Sequence, residues 1–372
     1  MRIGVPKEVK NHEYRVALTP AGAHELIRRG HEVVVETHAG EGSAIMDGEY
    51  AAAGAKVLDY ADDVWADADL VLKVKEPIEE EYHRLSADTT LFTYLHLAAS
   101  QPCTQALIDA GTTSIAYETV QLPDGSLPLL FPMSEVAGCL APQAGAQSLM
   151  RPNGGRGLLL GGVSGVKPAN VVVIGAGVSG SNATAIAVGM WADVTVLDTD
   201  VNKLRAMDRR YNGRVKTMVS NSLELEKAVL EADLVIGAVL VPGARAPRLV
   251  TNEMVSRMKR GSVLVDIAID QGGCFEDSRP TTHADPTYSV HHSVFYCVAN
   301  MPGAVPNTST YALTNVTLPY VLRLADDGWK QALRDDPALA LGLSTHAGRV
   351  TNGPVAAAHG LEHLPVAEVL AP

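Results

Sequence analysis

The 372-residue sequence is poor in cysteine and aromatic residues and lacks any excess of positive charge. Its four cysteines, Cys103, Cys139, Cys274 and Cys297, are scattered without a C-x-x-C pair or a nearby histidine at metal-ligand spacing. This argues against a metal site and predicts four reduced, mostly buried thiols. A formal net charge of −12 argues against a nucleic acid partner, although a local basic pocket for a small anion remains compatible with it.

Long apolar runs are also missing. The first ten residues, MRIGVPKEVK, carry charge and contain no apolar core of a signal peptide, and no run of about 18 apolar residues follows. We therefore expect a soluble, cytoplasmic protein without a membrane partner. Apolar residues make up 47% of the chain, which is enough to bury a core in each of the two domains that this length predicts.

Short β-rich runs alternate with helical patterns in the first 120 residues and again from Val171. This alternation is typical of βαβ units and predicts an α/β fold with two Rossmann-like, doubly wound parallel-sheet domains. The best-marked helix spans residues 20–29. Thr19 suits its N-cap, Pro20 its first position and Gly30 the left-handed residue after its end.

Two proline-containing helical segments connect the two series. PMSEVAGCLAPQAGAQSLM predicts a helix that begins at Ser134 and is kinked or ended by Pro142, and TSTYALTNVTLPYVLRLADDGW predicts a helix around Pro319. If both cross between the domains, the C-terminal residues return to the first domain, which is then discontinuous in sequence. A third, small C-terminal unit is the alternative.

Gly175, Gly177 and Gly180 form a G-x-G-x-x-G motif directly after the predicted strand VVVI and before a helical pattern. This context predicts a turn that admits the pyrophosphate of a dinucleotide to the backbone and to a helix N-terminus. Asp198 ends the next strand, where a carboxylate binds the adenosine ribose and repels a 2′-phosphate, so NAD is favoured over NADP. Lys203 weakens this preference. A turn used only for packing is the alternative.

Four reactive side chains follow predicted strands, where ligands of a doubly wound sheet bind, so we expect them to meet in one cleft. Arg15 can clamp a carboxylate, and Lys75 in KVKEP can hold a carboxylate or a carbonyl oxygen. His96 follows TLFTYL, at a strand end rather than on a polar surface, and can move a proton near neutral pH. Asp270 closes the predicted strand SVLVDIAI. The alternatives are a surface arginine, a solvated lysine, a structural histidine and a loop-capping aspartate.

A carboxylate clamp, a second cation, a proton shuttle and a nicotinamide together suit hydride transfer at the α-carbon of a small acid. These residues alone do not separate amino acid substrates from hydroxy acids.

The chain closely resembles bacterial alanine dehydrogenases along essentially its whole length. The stretches that carry the resemblance are MRIGVPKEVKNHEYRVALTP, LKVKEP, LFTYLHLA, TSIAYET, PMSEVAG, VVVIGAGVSG, VLVDIAIDQGG and YCVANMPGAVPNTSTYALTN. The resemblance implies oxidative deamination of L-alanine by NAD to pyruvate, ammonium and NADH, and the reverse reductive amination. It also implies a homohexamer and a split substrate domain, residues 1–128 and 308–372, around an NAD domain, residues 129–307.

By similarity, Arg15 and Lys75 hold the substrate, His96 is the proton donor and acceptor, and Asp270 assists catalysis. Water deprotonated through His96 would attack an iminium, and ammonia would leave the resulting carbinolamine. The division of proton transfer between His96 and Asp270 stays open. Besides the three glycines, the NAD-binding residues that the resemblance implies are Ser134, Val178, Ser179, Asp198, Lys203, Ser220, Val239, Leu240, Ile267, Ala268, Ile269, Asp270, Arg279, Val298, Ala299, Asn300 and Met301.

Four positions depart from the family pattern. Trp191 replaces a small residue, Cys139 and Asn307 replace basic residues, and Pro142 replaces a residue other than proline. None is among the four proposed catalytic and substrate-binding positions. We expect Trp191 to perturb the packing behind the cofactor strand, and Cys139 with Pro142 to shift the helix between the domains.

Three other interpretations compete with this one. The NAD-binding part of a proton-translocating transhydrogenase shares the RVA-x-TP and GAG motifs but lacks a histidine equivalent to His96 in YLHLA. A dehydrogenase for lysine-derived opines needs a roomier pocket. A catalytically silent NAD-binding module would not need all four reactive groups.

Overall fold

The computed structural model describes residues 1–239 and 246–371, which form two compact units. The first unit comprises Met1–Met133 and Val305–Pro372, and the second comprises Ser134–Ala304. Each unit is built on its own mixed sheet. The predicted residue Leu240 lies outside the described residues.

The described part of the chain contains fifteen strands, which we number in chain order. They are β1 (Arg2–Val5), β2 (Glu32–Glu36), β3 (Lys56–Leu58), β4 (Leu70–Leu72), β5 (Thr90–Thr93), β6 (Thr113–Ala116), β7 (Asn170–Ile174), β8 (Asp193–Asp198), β9 (Lys216–Val219), β10 (Leu234–Gly237), β11 (Val263–Asp266), β12 (Thr287–Val290), β13 (Ser293–Tyr296), β14 (Leu343–His346) and β15 (Arg349–Val350).

Fourteen α-helices lie within the same described residues. They are α1 (Pro20–Arg28), α2 (Asp47–Ala52), α3 (Ala61–Trp65), α4 (Gln101–Ala110), α5 (Phe131–Ser148), α6 (Val178–Gly189), α7 (Val201–Tyr211), α8 (Ser222–Glu231), α9 (Asn252–Arg257), α10 (Pro306–Asp327), α11 (Trp329–Asp335), α12 (Pro337–Ala340), α13 (Gly353–His359) and α14 (Val366–Val369).

The first unit has an eight-stranded sheet in the order β15-β14-β6-β5-β4-β1-β2-β3. Its six N-terminal strands are parallel, and their order reverses between β1 and β4, as in a doubly wound fold. The C-terminal segment adds β14 antiparallel to β6, and then β15. The sequence did not predict β3, β14 or β15, which are only two to four residues long.

The second unit has a seven-stranded sheet in the order β12-β13-β11-β10-β7-β8-β9. Six strands are parallel, and their order reverses between β7 and β10. The edge strand β12 pairs antiparallel with β13. Val171 and Val173 lie in one apolar core and Val172 and Ile174 in another, because successive side chains of a strand point to opposite faces. The predicted α/β fold class with two doubly wound units is confirmed.

The helix boundaries follow their capping residues. The Thr19 side chain accepts a hydrogen bond from the Gly22 amide at the start of α1, and Gly30 has a positive φ of 88° beyond its end. The predicted start at Ser134 is wrong, because α5 begins at Phe131 with Pro132 in its first turn, where the missing N–H costs nothing. Pro142 does not end α5, and Pro319 likewise lies inside α10.

All four cysteines are free thiols, and three of them, Cys103, Cys274 and Cys297, are buried, as predicted. Burial raises the pKa of the Cys103 thiol to about 12. Among residues 1–239 and 246–371, no helix is both long and apolar enough to span a lipid bilayer.

Candidate active site

Arg15 lies in the loop between β1 and α1 and is almost completely buried, with 2% of its surface exposed. Its Nε and Nη2 atoms donate to Glu13 Oε1 at 2.6 Å and to Oε2 at 2.5 Å. Burial alone lowers the pKa of Arg15, but the Glu13 carboxylate, with smaller contributions from Tyr94 and Glu8, raises the pKa overall. Arg15 is therefore not a solvated surface arginine, and Glu13 fixes the orientation of its guanidinium.

The two lysines of the loop after β4, Lys73 and Lys75, have different environments. Lys73 is completely buried, and its Nζ lies 3.0 Å from Glu8 Oε2 and 2.7 Å from Glu81 Oε1. Lys75 is only partly buried, and its ammonium forms no ion pair with any described residue. Lys75 is therefore the lysine of this loop that can bind a carboxylate of a ligand.

His96 follows β5 by three residues and has a left-handed backbone, with φ 49° and ψ 37°. The Glu118 carboxylate accepts hydrogen bonds from the amides of Leu95 and His96, the latter at 2.6 Å. The imidazole stacks on the Tyr94 ring with a centroid separation of 5.9 Å, and its Nδ1 lies 3.8 Å from Glu118 Oε1. The expectation that His96 avoids the surface is wrong, because 43% of its side chain is exposed beyond the strand end.

The carboxylate of Glu76, with 15% of its side chain exposed, interacts electrostatically with Lys75 and His96. Burial would raise the pKa of Glu76, but the charges of Lys75, Lys10 and His96 together lower it. Lys10 Nζ donates to Glu76 Oε1, whereas Oε2 has no hydrogen-bond partner among the described residues. Lys75 and His96 therefore both contribute to the electrostatic environment of Glu76.

The topology of the first sheet places the loops that carry these residues at one edge of the sheet. Arg15 follows β1 and Lys75 follows β4, and these two strands flank the point where the strand order reverses. His96 follows β5, the next strand along the same edge. Ligands of doubly wound sheets bind beyond the carboxyl ends of the strands at this point.

The glycine motif of the second unit fits a dinucleotide pyrophosphate. Gly175 has φ 102°, and a Cβ there would lie 2.7 Å from the Ala238 carbonyl oxygen. A Cβ on Gly180 would overlap the Gly175 carbonyl oxygen, whereas none of the described atoms lies within 4 Å of a Cβ on Gly177. The turn thus leaves the backbone at Gly177 accessible at the N-terminus of α6, where N–H groups attract an anion.

Asp198 ends β8 and connects that strand to the glycine turn. Its Oδ2 accepts a hydrogen bond from the Ala176 amide at 2.7 Å, and its Oδ1 accepts one from the Asp200 amide at 2.8 Å. Lys203 Nζ lies 4.0 Å from Asp198 Oδ2. The carboxylate is thus held at the strand end where an NAD-binding domain contacts the adenosine ribose.

The other predicted NAD-binding residues of the second unit lie near strand ends or in α5. Val178 and Ser179 begin α6 after β7, Ser220 follows β9, and Val239 follows β10. Residues 267–270 follow β11, residues 298–301 follow β13, and Ser134 lies in α5. Arg279 lies with its guanidinium carbon 4.1 Å from the centre of the Tyr288 ring.

The strand end before Asp270 differs from the prediction. β11 ends at Asp266, and Asp270 lies in the short 3-10 helix Ile267–Gln271, where it is exposed. Asp266 is completely buried and accepts hydrogen bonds from the amides of Ala268 and Cys274. The predicted strand was too long because these apolar residues continue into a helical turn that Asp266 caps.

The structure shows the surroundings of the four positions that depart from the family pattern. Trp191 is 70% exposed, so the expectation that it perturbs packing behind the cofactor strand is wrong. The Asn307 side chain donates to the Ser43 carbonyl at 2.6 Å. Cys139 is half-buried with its Sγ 3.8 Å from Asn182 Oδ1, and α5 is continuous through Pro142.

Comparison with known families identifies the chain. The N-terminal domain model of alanine dehydrogenase/PNT matches residues 4–137, and the corresponding C-terminal domain model matches residues 141–353. The chain belongs to the alanine dehydrogenase/PNT family. It is therefore an NAD-dependent oxidoreductase, as the sequence predicted.

Individual relatives separate this member from the transhydrogenase branch. The alanine dehydrogenase of Mycolicibacterium smegmatis is 64% identical over 371 residues and covers 100% of both chains. A solved L-alanine dehydrogenase is 52% identical with a TM-score of 0.94, covering 97% of this chain and 99% of its own. A transhydrogenase structure from Sinorhizobium meliloti is only 26% identical with a TM-score of 0.80, covering 95% of this chain and 99% of its own.

Three carboxylates that orient predicted site residues were missed from the sequence. Glu13 binds Arg15, Glu118 binds the amide of His96, and Glu8 binds the backbone next to Lys75. Glu118 lies two residues after the buried strand β6, and Glu8 lies three residues after β1. A charged residue just past a buried strand was the signal that could have revealed both.

Proposed function

We propose that this chain interconverts L-alanine and pyruvate, with the first unit binding the substrate and the second binding NAD. In the oxidative direction L-alanine, NAD⁺ and water give pyruvate, ammonium, NADH and a proton. The observation that carries the proposal is that Arg15, Lys75 and His96 follow the adjacent strands β1, β4 and β5 at the switch point of the first sheet. The full-length alanine dehydrogenase relatives support the same reaction.

Arg15 and Lys75 hold the substrate carboxylate. The guanidinium of Arg15 is already oriented by Glu13, which reduces the entropy lost when a ligand binds. The ammonium of Lys75 forms no ion pair with the described residues, so it can pair directly with the substrate carboxylate.

His96 moves the proton of the reacting water. The imidazole is 43% exposed, and its Nδ1 lies 3.8 Å from Glu118 Oε1, so the ring is accessible to a water molecule while a carboxylate lies beside it. Deprotonated water adds to the imine carbon of the substrate, and ammonia leaves after the amino nitrogen is protonated. Asp270 assists by stabilising positive charge or by ordering water.

Bound NAD supplies the acceptor for the two electrons that leave the alanine α-carbon. Gly175, Gly177 and Gly180 admit the pyrophosphate, and Asp198 binds the adenosine ribose and disfavours a 2′-phosphate. We assign the remaining contacts to Ser134, Val178, Ser179, Lys203, Ser220, Val239, Leu240, Ile267, Ala268, Ile269, Asp270, Arg279, Val298, Ala299, Asn300 and Met301.

The homohexamer and the cytoplasmic location implied by the resemblance are also part of the proposal. Free thiols throughout the chain suit a reducing compartment. Light scattering of the purified protein and fractionation of its host cells test these two points.

A paired assay tests the reaction itself. The purified protein should oxidise NADH when pyruvate and ammonium are both present and should not do so with pyruvate alone, because the reductive direction consumes ammonia. Equal NADH consumption with and without ammonium would identify a hydroxy acid dehydrogenase instead.

A further inference from the structure

The carboxylate of Glu8 connects two loops that carry the proposed substrate cations. Glu8 lies in the loop after β1, seven residues before Arg15 in the printed sequence. Its Oε1 accepts a hydrogen bond from the Val74 amide at 2.6 Å and a longer one from the Lys75 amide at 3.4 Å. Its Oε2 lies 3.0 Å from Lys73 Nζ. One side chain therefore bonds three consecutive residues of the loop after β4.

The carboxylate of Glu8 is buried and paired with Lys73. Only 3% of its side chain is exposed, and a buried carboxylate is costly unless it is paired and hydrogen-bonded. Lys73 provides the pairing and is itself completely buried between Glu8 and Glu81. Only one oxygen of Glu8 pairs with Lys73, and the other accepts hydrogen bonds from the amides of Val74 and Lys75. Glu8 therefore does more than neutralise Lys73.

Glu81 provides the internal comparison. It binds the same Lys73 ammonium at 2.7 Å, and 2% of its side chain is exposed. Its other oxygen accepts from the Ile78 amide rather than from residues 74 and 75. Glu8 and Glu81 thus share a partner and a degree of burial, and they differ in whether they hold the backbone at Lys75.

We propose that Glu8 is a positioning residue that sets the location of the Lys75 ammonium by holding the amides of Val74 and Lys75. The proposal rests on the assigned role of Lys75 in binding the substrate carboxylate. Because Lys75 would bind the carboxylate equally in the ground and transition states, its displacement raises KM and leaves kcat nearly unchanged.

The test compares Glu8→Gln with Glu81→Gln in the full-length enzyme. Glu8→Gln should raise the KM for pyruvate about tenfold, the effect of weakening one hydrogen bond to a charged group, with kcat and the Kd for NADH within about twofold of the parent. Glu81→Gln should lower the free energy of unfolding about as much as Glu8→Gln does, because both remove a charge beside Lys73. It should leave the KM for pyruvate within about twofold of the parent. An equal rise in KM for both variants would show only a general effect of disturbing Lys73, and would overturn the proposal.

Lys75→Met separates this proposal from the proposed function. If Lys75→Met raises the KM for pyruvate and Glu8→Gln does not, the positioning role is wrong while the role of Lys75 stands. If Lys75→Met leaves the KM unchanged, the assignment of Lys75 fails and the positioning role fails with it. In the Lys75→Met background, Glu8→Gln should raise KM no further.

Glu8→Asp covers the case in which Glu8→Gln does not fold. Aspartate keeps the negative charge beside Lys73 but is one methylene shorter, so it cannot reach Lys73 and the loop amides together. This variant should fold and should raise the KM for pyruvate several-fold. A KM equal to that of the parent would overturn the proposal.

Discussion

At the residue scale, His96 occupies a backbone conformation that side-chain-bearing residues rarely adopt. Its positive φ costs about 1–2 kcal/mol in general, and Glu118 offsets this by bonding the amides of Leu95 and His96. Strain of this kind persists where the surroundings over-determine it, often at functional sites. The arrangement fixes the imidazole on the Tyr94 ring and beside Glu118.

Replacing His96 with alanine should lower kcat by at least about 10²-fold, because general acid–base catalysis contributes about 10²- to 10⁴-fold. NADH should still bind with its original Kd in a fluorescence titration. His38→Ala is a matched control, since His38 is also exposed and has φ 62°. Near-normal turnover of His96→Ala would remove this histidine from the mechanism.

Trp191 also has a positive φ, but no described carboxylate bonds its amide as Glu118 bonds that of His96. It has φ 66° just after the C-terminus of α6, where glycine is the usual residue, and its side chain is 70% exposed. Nothing in the described structure explains the presence of a tryptophan at this position.

Trp191→Gly should raise the free energy of unfolding by about 1 kcal/mol, because glycine adopts positive φ without a Cβ clash. Trp191→Ala keeps the Cβ and should not gain this amount. Denaturant titration of both variants measures the difference, and identical midpoints for the two would contradict the strain argument.

At the element scale, β14 joins the C-terminal segment to the first sheet by antiparallel pairing with β6, and His346 adds a side-chain contact to this junction. His346 Nδ1 lies 3.0 Å from Thr113 Oγ1 of β6, and the imidazole packs at 4.8 Å from the Trp329 ring centre in α11. Burial, with a smaller contribution from Lys330, lowers the pKa of His346 below its ordinary value of 6.5. The neutral imidazole is therefore the form that fits this junction.

The lowered pKa of His346 predicts that acidic pH destabilises the β6–β14 junction. As pH falls below about 6.5, the unfolded chain binds a proton at His346 before the folded chain does, so the free energy of unfolding decreases. His346→Asn should show a smaller decrease between about pH 8 and about pH 5.5. Denaturant titrations at both pH values measure this change, and equal decreases in the two proteins would contradict the prediction.

At the scale of the whole molecule, two units repeat one arrangement. Each has six parallel strands whose order reverses at the centre, between β1 and β4 in one unit and between β7 and β10 in the other. The first unit has charged side chains at that edge, and the second has a glycine turn. The chemistry of each unit thus comes from its loops rather than from its fold.

NADH should stabilise the folded protein by about 2.7 kcal/mol when its free concentration is about 100 times its Kd. Gly180→Ala should abolish this stabilisation, because a Cβ there would overlap the Gly175 carbonyl oxygen and displace the turn. Gly189→Ala in the same helix is the control, since none of the described atoms lies within 4 Å of its Cβ position. Thermal melts with and without NADH measure both effects.

The sequence alone determined the features that depend on neighbouring residues. The caps around α1, the strand β8 from Asp193 to Asp198, and the glycine turn after β7 were predictable, because capping, alternation and backbone freedom act over a few residues. The family and its NAD-dependent chemistry followed from motifs of the same short range. The placements of Arg15, Lys75 and His96 after strands were visible for this reason too.

Only the tertiary structure decided which distant residues meet. The pairing of β14 with β6, and the contacts of Glu8 with Lys75 and Glu118 with His96, join residues far apart in the chain, and no local pattern specifies such partners. The end of β11 at Asp266 was hidden because an apolar run looks alike in a strand and in a buried turn. Long-range burial and hydrogen bonding, which select one partner among many, settled these points.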